Sequence, residues 1–182
     1  MPIRGGADEI QNELPKSMNL PANRRKPSAH SQEGSRVMKT VRDLLRVKGH
    51  DIWSIAPGAA VYEALQLMAE ENIGAVLVMD ASNLVGIMSE RDYARKVILK
   101  GRFSRDTPVR EIMTERVVCV RTDQTLEDCM ALMTGKHVRH LPALEGNRLV
   151  GMISIGDVVK AIISDQEFLI EQLGNYITGS VS

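Results

Sequence analysis

Two short stretches hold the residues best placed to do chemistry. Ser89 with Asp92, and Ser154 with Asp157, are each three residues apart, directly after an apolar run and at the expected start of a helix. An ionised carboxylate offers two acceptor oxygens, which suits the vicinal hydroxyls of a ribose, and a serine three residues earlier can donate to a phosphate oxygen or to the sugar. The open N–H groups of a helix's first turn favour an anion. The same two residues also read as a helix cap with its N3 carboxylate, a purely structural pairing. Both readings stand for either stretch taken alone, and the pattern is written twice.

Laying Asp51–Leu99 over Arg116–Ser164 at a constant offset of 65 brings eight identities into register without a gap: Leu67/Leu132, Met68/Met133, Ile98/Ile163, Leu84/Leu149, Val85/Val150, Gly86/Gly151, Ser89/Ser154 and Asp92/Asp157. The last five spell Leu-Val-Gly-x-x-Ser-x-x-Asp in both copies. Such self-similarity marks a duplicated supersecondary unit that buries its apolar face against its neighbour. The copies differ where charge matters. Arg91 is matched by Gly156 and Arg95 by Lys160, whereas Arg139 and His140 correspond to Gly74 and Ala75. Two clefts of differing charge are expected, Arg91 belonging to one and Arg139 with His140 to the other.

The elements that must position these residues follow from periodicity. Val41–Leu45 reads as a short lead helix, echoed at Val109–Met113 with an offset of 68, so three extra residues lie near Gly49 and His50. A strand follows in each copy, at 52–55 and 117–120. Next comes an amphipathic helix, with Val61, Ala64, Leu65 and Met68 in one copy and Leu126, Cys129, Met130 and Met133 in the other at helical spacing. Thr122 or Thr125 can cap the second of these helices. Two apolar strands then flank a polar turn, at 75–79 with 84–88 and at 140–144 with 149–153, as in a hairpin. A second helix closes each copy, from Glu90 and from Ile155, and the latter is expected to continue to about Tyr176. The fold class is α/β (α+β), two β-α-β-β-α repeats packed face to face as a pseudo-twofold pair. Residues 40–100 and 106–164 form the repeats, and 165–182 a C-terminal helical extension whose Phe168, Leu169, Leu173 and Tyr176 favour a homodimer contact.

Composition bounds the rest. Of 182 residues 43% are hydrophobic, enough for a core, and 23 basic residues balance 23 acidic ones, so no overall field favours nucleic acid or an anionic membrane. Aromatic residues are only 3%, which leaves few stacking platforms for single strands. Residues 1–36, with four prolines and the Arg24-Arg25-Lys26 cluster, are expected to be disordered. No 18-residue apolar run suggests a spanning helix, and the N-terminus resembles neither a secretory signal nor a transit peptide. Cys119 and Cys129 read as reduced core residues, consistent with a cytoplasmic protein. His137 and His140 invite a metal, but no third ligand stands at a helpful spacing. No nucleophile stands beside a base, and there is no phosphate-binding glycine loop, so neither a catalytic residue nor a metal is expected.

The element order, the motifs Gly-Ile-Met-Ser-Glu-Arg-Asp at 86–92 and Gly-Met-Ile-Ser-Ile-Gly-Asp at 151–157, and the preceding Arg139-His140-Leu141-Pro142 and Glu111-Ile112-Met113-Thr114 resemble the cystathionine-β-synthase (CBS) domain family. The resemblance covers residues 40–165. It implies a regulatory pair that binds adenosyl compounds such as AMP, ADP, ATP, NAD or S-adenosylmethionine between its copies and signals to a protein effector. Carried over by position, Ser89, Arg91, Asp92, Ser154, Asp157, Arg139 and His140 would contact phosphate and ribose, with Thr122 adding a hydroxyl in the second cleft. Ile52, Ile73 and Val76, and Val117, Val138 and Leu141, would surround the adenine. The alternative is a ligand-free scaffold for protein–protein interaction or dimerisation.

Overall fold

The computed structural model describes Ile3–Gly5 and residues 40–177. In chain order the elements are β1 (Ile3–Gly5), α1 (Val41–Lys48), β2 (Ile52–Ile55), α2 (Val61–Glu70), β3 (Ala75–Asp80), β4 (Asn83–Ser89), α3 (Glu90–Lys96), β5 (Val120–Arg121), α4 (Leu126–Lys136), β6 (His140–Glu145), β7 (Arg148–Ser154) and α5 (Ile155–Ile177). Short 3-10 turns occupy Ile98–Lys100 and Val109–Glu111.

Each repeat builds the same three-stranded sheet. β2 runs parallel to β3 and β3 antiparallel to β4, and β5, β6 and β7 repeat that arrangement. The copies agree in detail. A register irregularity falls at Val78/Met79 in one and Ala143/Leu144 in the other, and the hairpin turns place Ala81 (φ 50°) and Gly146 (φ 60°) in the same left-handed conformation. Ile52, Leu77 and Leu84 from one sheet, Leu144, Leu149 and Met152 from the other, and Val117 and Cys119 from the segment leading into β5 form a single buried cluster. The two sheets therefore meet face to face, as the duplication implied.

Three expectations change. β1, within the tail expected to be disordered, pairs antiparallel with β2, Ile3 opposite Ser54 and Gly5 opposite Ile52; a sheet edge presents unpaired N–H and C=O groups that a short extended segment satisfies. Residues 6–36 of that tail, and 178–182 of the C-terminal extension, lie outside the described residues. The strand expected over 117–120 joins β6 at Val120 and Arg121, while Val117 and Cys119 turn into the cluster between the sheets. The second lead segment forms one 3-10 turn rather than a helix, since Pro108 precedes it and Thr114 pairs with Ile87.

The lead segments also change places. α1, capped by Thr40 with Asp43, packs its Val41, Leu44 and Leu45 into the core of the second repeat beside Leu126, Cys129 and Ile153. Its Val41 and Arg42 N–H groups donate to the carbonyls of Gln124 and Thr122. The second lead segment does the converse, placing Val109 and Ile112 among Val61, Val76 and Met88 of the first repeat. The motif glycines receive these segments. A Cβ on Gly86 would stand 2.6 Å from Met113 Sδ, and one on Gly151 2.7 Å from Leu45 Cδ2. Met113 and Leu45 occupy corresponding positions of the two lead segments, so the glycine repeated in each motif is a notch for the opposite copy's arm.

Candidate functional site

The chain turns from β4 into α3 at Ser89, and the local chemistry is a capping box. The Asp92 N–H donates to Ser89 Oγ, while Asp92 Oδ2 accepts from the Ser89 N–H at 3.0 Å and from its hydroxyl at 2.7 Å. Ser154 and Asp157 repeat this at the start of α5, at 2.8 and 2.7 Å. The structural reading of the motif is thus realised for one carboxylate oxygen in each copy. The other oxygen of Asp92 faces Lys96 Nζ at 2.8 Å and the Thr114 hydroxyl at 3.5 Å. α3 is only seven residues long, its Asp92 N–H is taken by the cap and its Glu90 N–H donates to the Gly74 carbonyl, so side chains are the main donors here.

Those side chains converge on a cleft of about 510 Å³ between the repeats. From the first repeat come Gly74, Ser89, Arg91, Asp92, Arg95 and Lys96, and from the second His137, Val138, Arg139 and His140. Arg91 spans the gap, donating to the His137 carbonyl at 3.1 Å. The sequence separated Arg91 from Arg139 and His140 into different clefts; the structure puts them in one cleft, because face-to-face packing sets the start of β6 opposite the start of α3. Gly74 lines this cleft, with the His140 ring and Glu90 Oε2 beside it: a Cβ there would lie in ordinary van der Waals contact with both, at 3.5 and 3.6 Å.

Ser154 and Asp157 stand apart, and Asp157 is occupied by the chain itself. Lys48, the last residue of α1, donates to Asp157 Oδ2 at 2.5 Å and to the Met152 carbonyl at 2.9 Å. Burial pushes the Asp157 carboxyl up, but the Lys48 and Ser154 donors outweigh it and hold it below the usual carboxylate range. His140 feels the same ion pair. Burial, chiefly, and then the Lys48 charge lower its pKa against an opposing pull from Asp157.

The apolar candidates are divided. Val138 lines the cleft. Val76 and Leu141 are fully buried in the cores of their repeats, Ile73 packs against the first core, and Ile52 and Val117 lie in the cluster between the sheets. Thr122 is buried with its hydroxyl taken by Arg42 at 3.1 Å, and Thr125, not Thr122, caps α4. Sequence reasoning missed Lys96, Thr114 and Lys48. Only the last had a signal, the three-residue insertion that lets α1 run on to it. Among the described residues no three potential metal ligands gather, and no helix is long and apolar enough to cross a membrane.

The family model of the CBS domain matches residues 41–98 and 109–164, one match for each repeat. The chain belongs to the CBS domain family, as a tandem pair. It is 34% identical over 161 residues to a mitochondrial CBS domain-containing protein of Arabidopsis thaliana, covering 83% of this chain and 78% of that one. A crystal structure of a CBS-domain protein from Burkholderia ambifaria is 49% identical, with a TM-score of 0.68 over 70% of this chain and 96% of that one. A CBS pair solved with 5′-methylthioadenosine and S-adenosyl-L-methionine shares the fold at 21% identity, with a TM-score of 0.62 over 70% of this chain and 98% of that one.

Proposed function

We propose that this protein is a regulatory module that binds an adenine nucleotide (AMP, ADP, ATP or NAD) in the cleft between its repeats and passes occupancy to a protein effector, acting as a cytoplasmic homodimer. One observation carries the reading. Arg91, Arg95, Lys96 and Arg139 approach a single 510 Å³ space from both repeats, with the Asp92 carboxylate and the Ser89 hydroxyl at its wall. Guanidinium and ammonium groups suit phosphate oxygens, and the carboxylate suits ribose hydroxyls. The adenosyl ligands named for a protein of the same fold carry ribose hydroxyls but no phosphate, so they are in keeping with the carboxylate's part in this reading, and the phosphate part rests on the four cationic side chains alone. A ligand bridging both repeats changes their relative packing only if it binds one arrangement more tightly, and that difference is what an effector would read.

The scaffold reading has one observation on its side, the Lys48–Asp157 pair that satisfies the second motif internally. Calorimetric titration of the purified chain with AMP, ADP, ATP and NAD decides between them. Binding that weakens about tenfold in Arg139→Ala, the loss of one charge-assisted phosphate contact, supports the nucleotide site. Asp92→Asn, which keeps an oxygen for the cap, should also weaken binding. Absence of binding by all four nucleotides, or affinities untouched by both variants, would sink it.

A further inference from the structure

α5 carries two different apolar sides. Val158 is fully buried, and Ile155, Ala161 and Ile162 pack against the second repeat's core. A neighbouring side faces outward, with Val159 38% exposed, Ile163 48%, Ile170 70% and Leu173 54%. With Gln166 these residues are spaced four, three, four and three apart, the alternation of the two seam positions of a heptad. A stripe so spaced and yet turned away from the chain's own core is the form of a helix–helix seam, and a single polar residue on such a seam fixes register at some cost in stability.

The positions beside the seam say what covers it. Lys160 and Glu167 follow Val159 and Gln166 on one edge, seven residues apart and so out of reach of each other along one helix. Ile162 and Leu169 mark the other edge. Set a second α5 antiparallel to the first, with Ile163 of one opposite Gln166 of the other. Lys160 then meets Glu167 of the second copy twice by symmetry, and Ile162 meets Leu169 twice. A parallel pair would instead put Glu167 beside Ile162 of the second copy and leave the charges unmatched.

We propose that a second copy of this chain covers the seam, through antiparallel pairing of the two α5 helices centred between Ser164 and Asp165. This rests on the homodimer in the functional reading and is independent of nucleotide. Light scattering of the full chain without nucleotide should give a dimer. Ile170→Glu should give a monomer with unchanged circular dichroism. Lys160→Glu should weaken self-association about tenfold through two like-charge contacts, and Lys160→Glu with Glu167→Lys should restore it. A monomeric wild type overturns dimer and seam together. A dimer that survives Ile170→Glu overturns the seam alone, and a charge reversal that neither weakens nor is rescued overturns the antiparallel register. Each outcome leaves the nucleotide titration standing on its own.

Discussion

Lys48 does for Asp157 and Met152 what Thr114 does at the corresponding place in the first repeat. There the Thr114 backbone N–H donates to the Ile87 carbonyl at 2.8 Å; here the Lys48 ammonium donates to the Met152 carbonyl and carries a full charge onto the motif carboxylate. Because Asp157's folded pKa lies below its ordinary 3.8, the stability it contributes is present above that value and lost as pH falls through the folded one. Lys48→Met should therefore cost roughly 1 kcal/mol at pH 7, discounted for partial exposure, and less at a pH below the folded value, where the carboxyl is protonated. Urea unfolding of both proteins at the two pH values measures it, and an equal cost at both would remove the ion pair as the cause.

His140 works in a different pH window. Its folded pKa is lowered from the ordinary 6.5, first by burial and then by the Lys48 charge, so the folded state prefers the neutral ring. The unfolded chain takes up a proton first as pH falls. Stability is thus whole above 6.5 and declines below it until the lowered folded value is reached. His140→Gln should flatten thermal stability between pH 7 and 5.5. An unchanged slope would mean that another group sets it.

Substituting the motif glycines should expose the exchanged arms. Gly151→Ala drives a methyl group against Leu45 and should destabilise by about 1–3 kcal/mol. The penalty should shrink in a Leu45→Ala background, where the obstruction is gone. A double-mutant cycle from denaturant midpoints reads the coupling, and strict additivity would refute the notch.

Both cysteines should be silent in the native state. Burial pushes the thiols of Cys119 and Cys129 up to about 12, with the acidic Asp128 and Glu127 adding to the effect at Cys129. Ellman's reagent at pH 8 should find no fast thiol in the folded protein and two after unfolding in urea.

Much of this architecture is readable in the residues, and the reason is local. The capping pairs Thr40–Asp43, Ser89–Asp92 and Ser154–Asp157 act over three residues, and the strand and helix periods over ten, so spacing alone exposes them. The exchange of lead segments is not local. Nothing in Val41–Leu45 says whether it packs on the following repeat or the one beyond, since either core would bury the same apolar face. Neither Lys48 beside Asp157 nor Arg139 in the cleft with Arg91 is legible in sequence, because both placements depend on which surfaces meet. The apolar candidates fared worst. Val76 and Leu141 are indistinguishable in sequence from cleft-lining residues, yet their side chains point to the core.

The notches at Gly86 and Gly151 make each repeat depend on its twin. A repeat cut away from the other would leave its notch without the arm that fills it and would turn the apolar face of its own arm to water. Joining both in one polypeptide keeps each arm at a high effective concentration beside the groove that takes it. The exchange of arms thus works as a clasp, closed at one end by Leu45 and at the other by Met113.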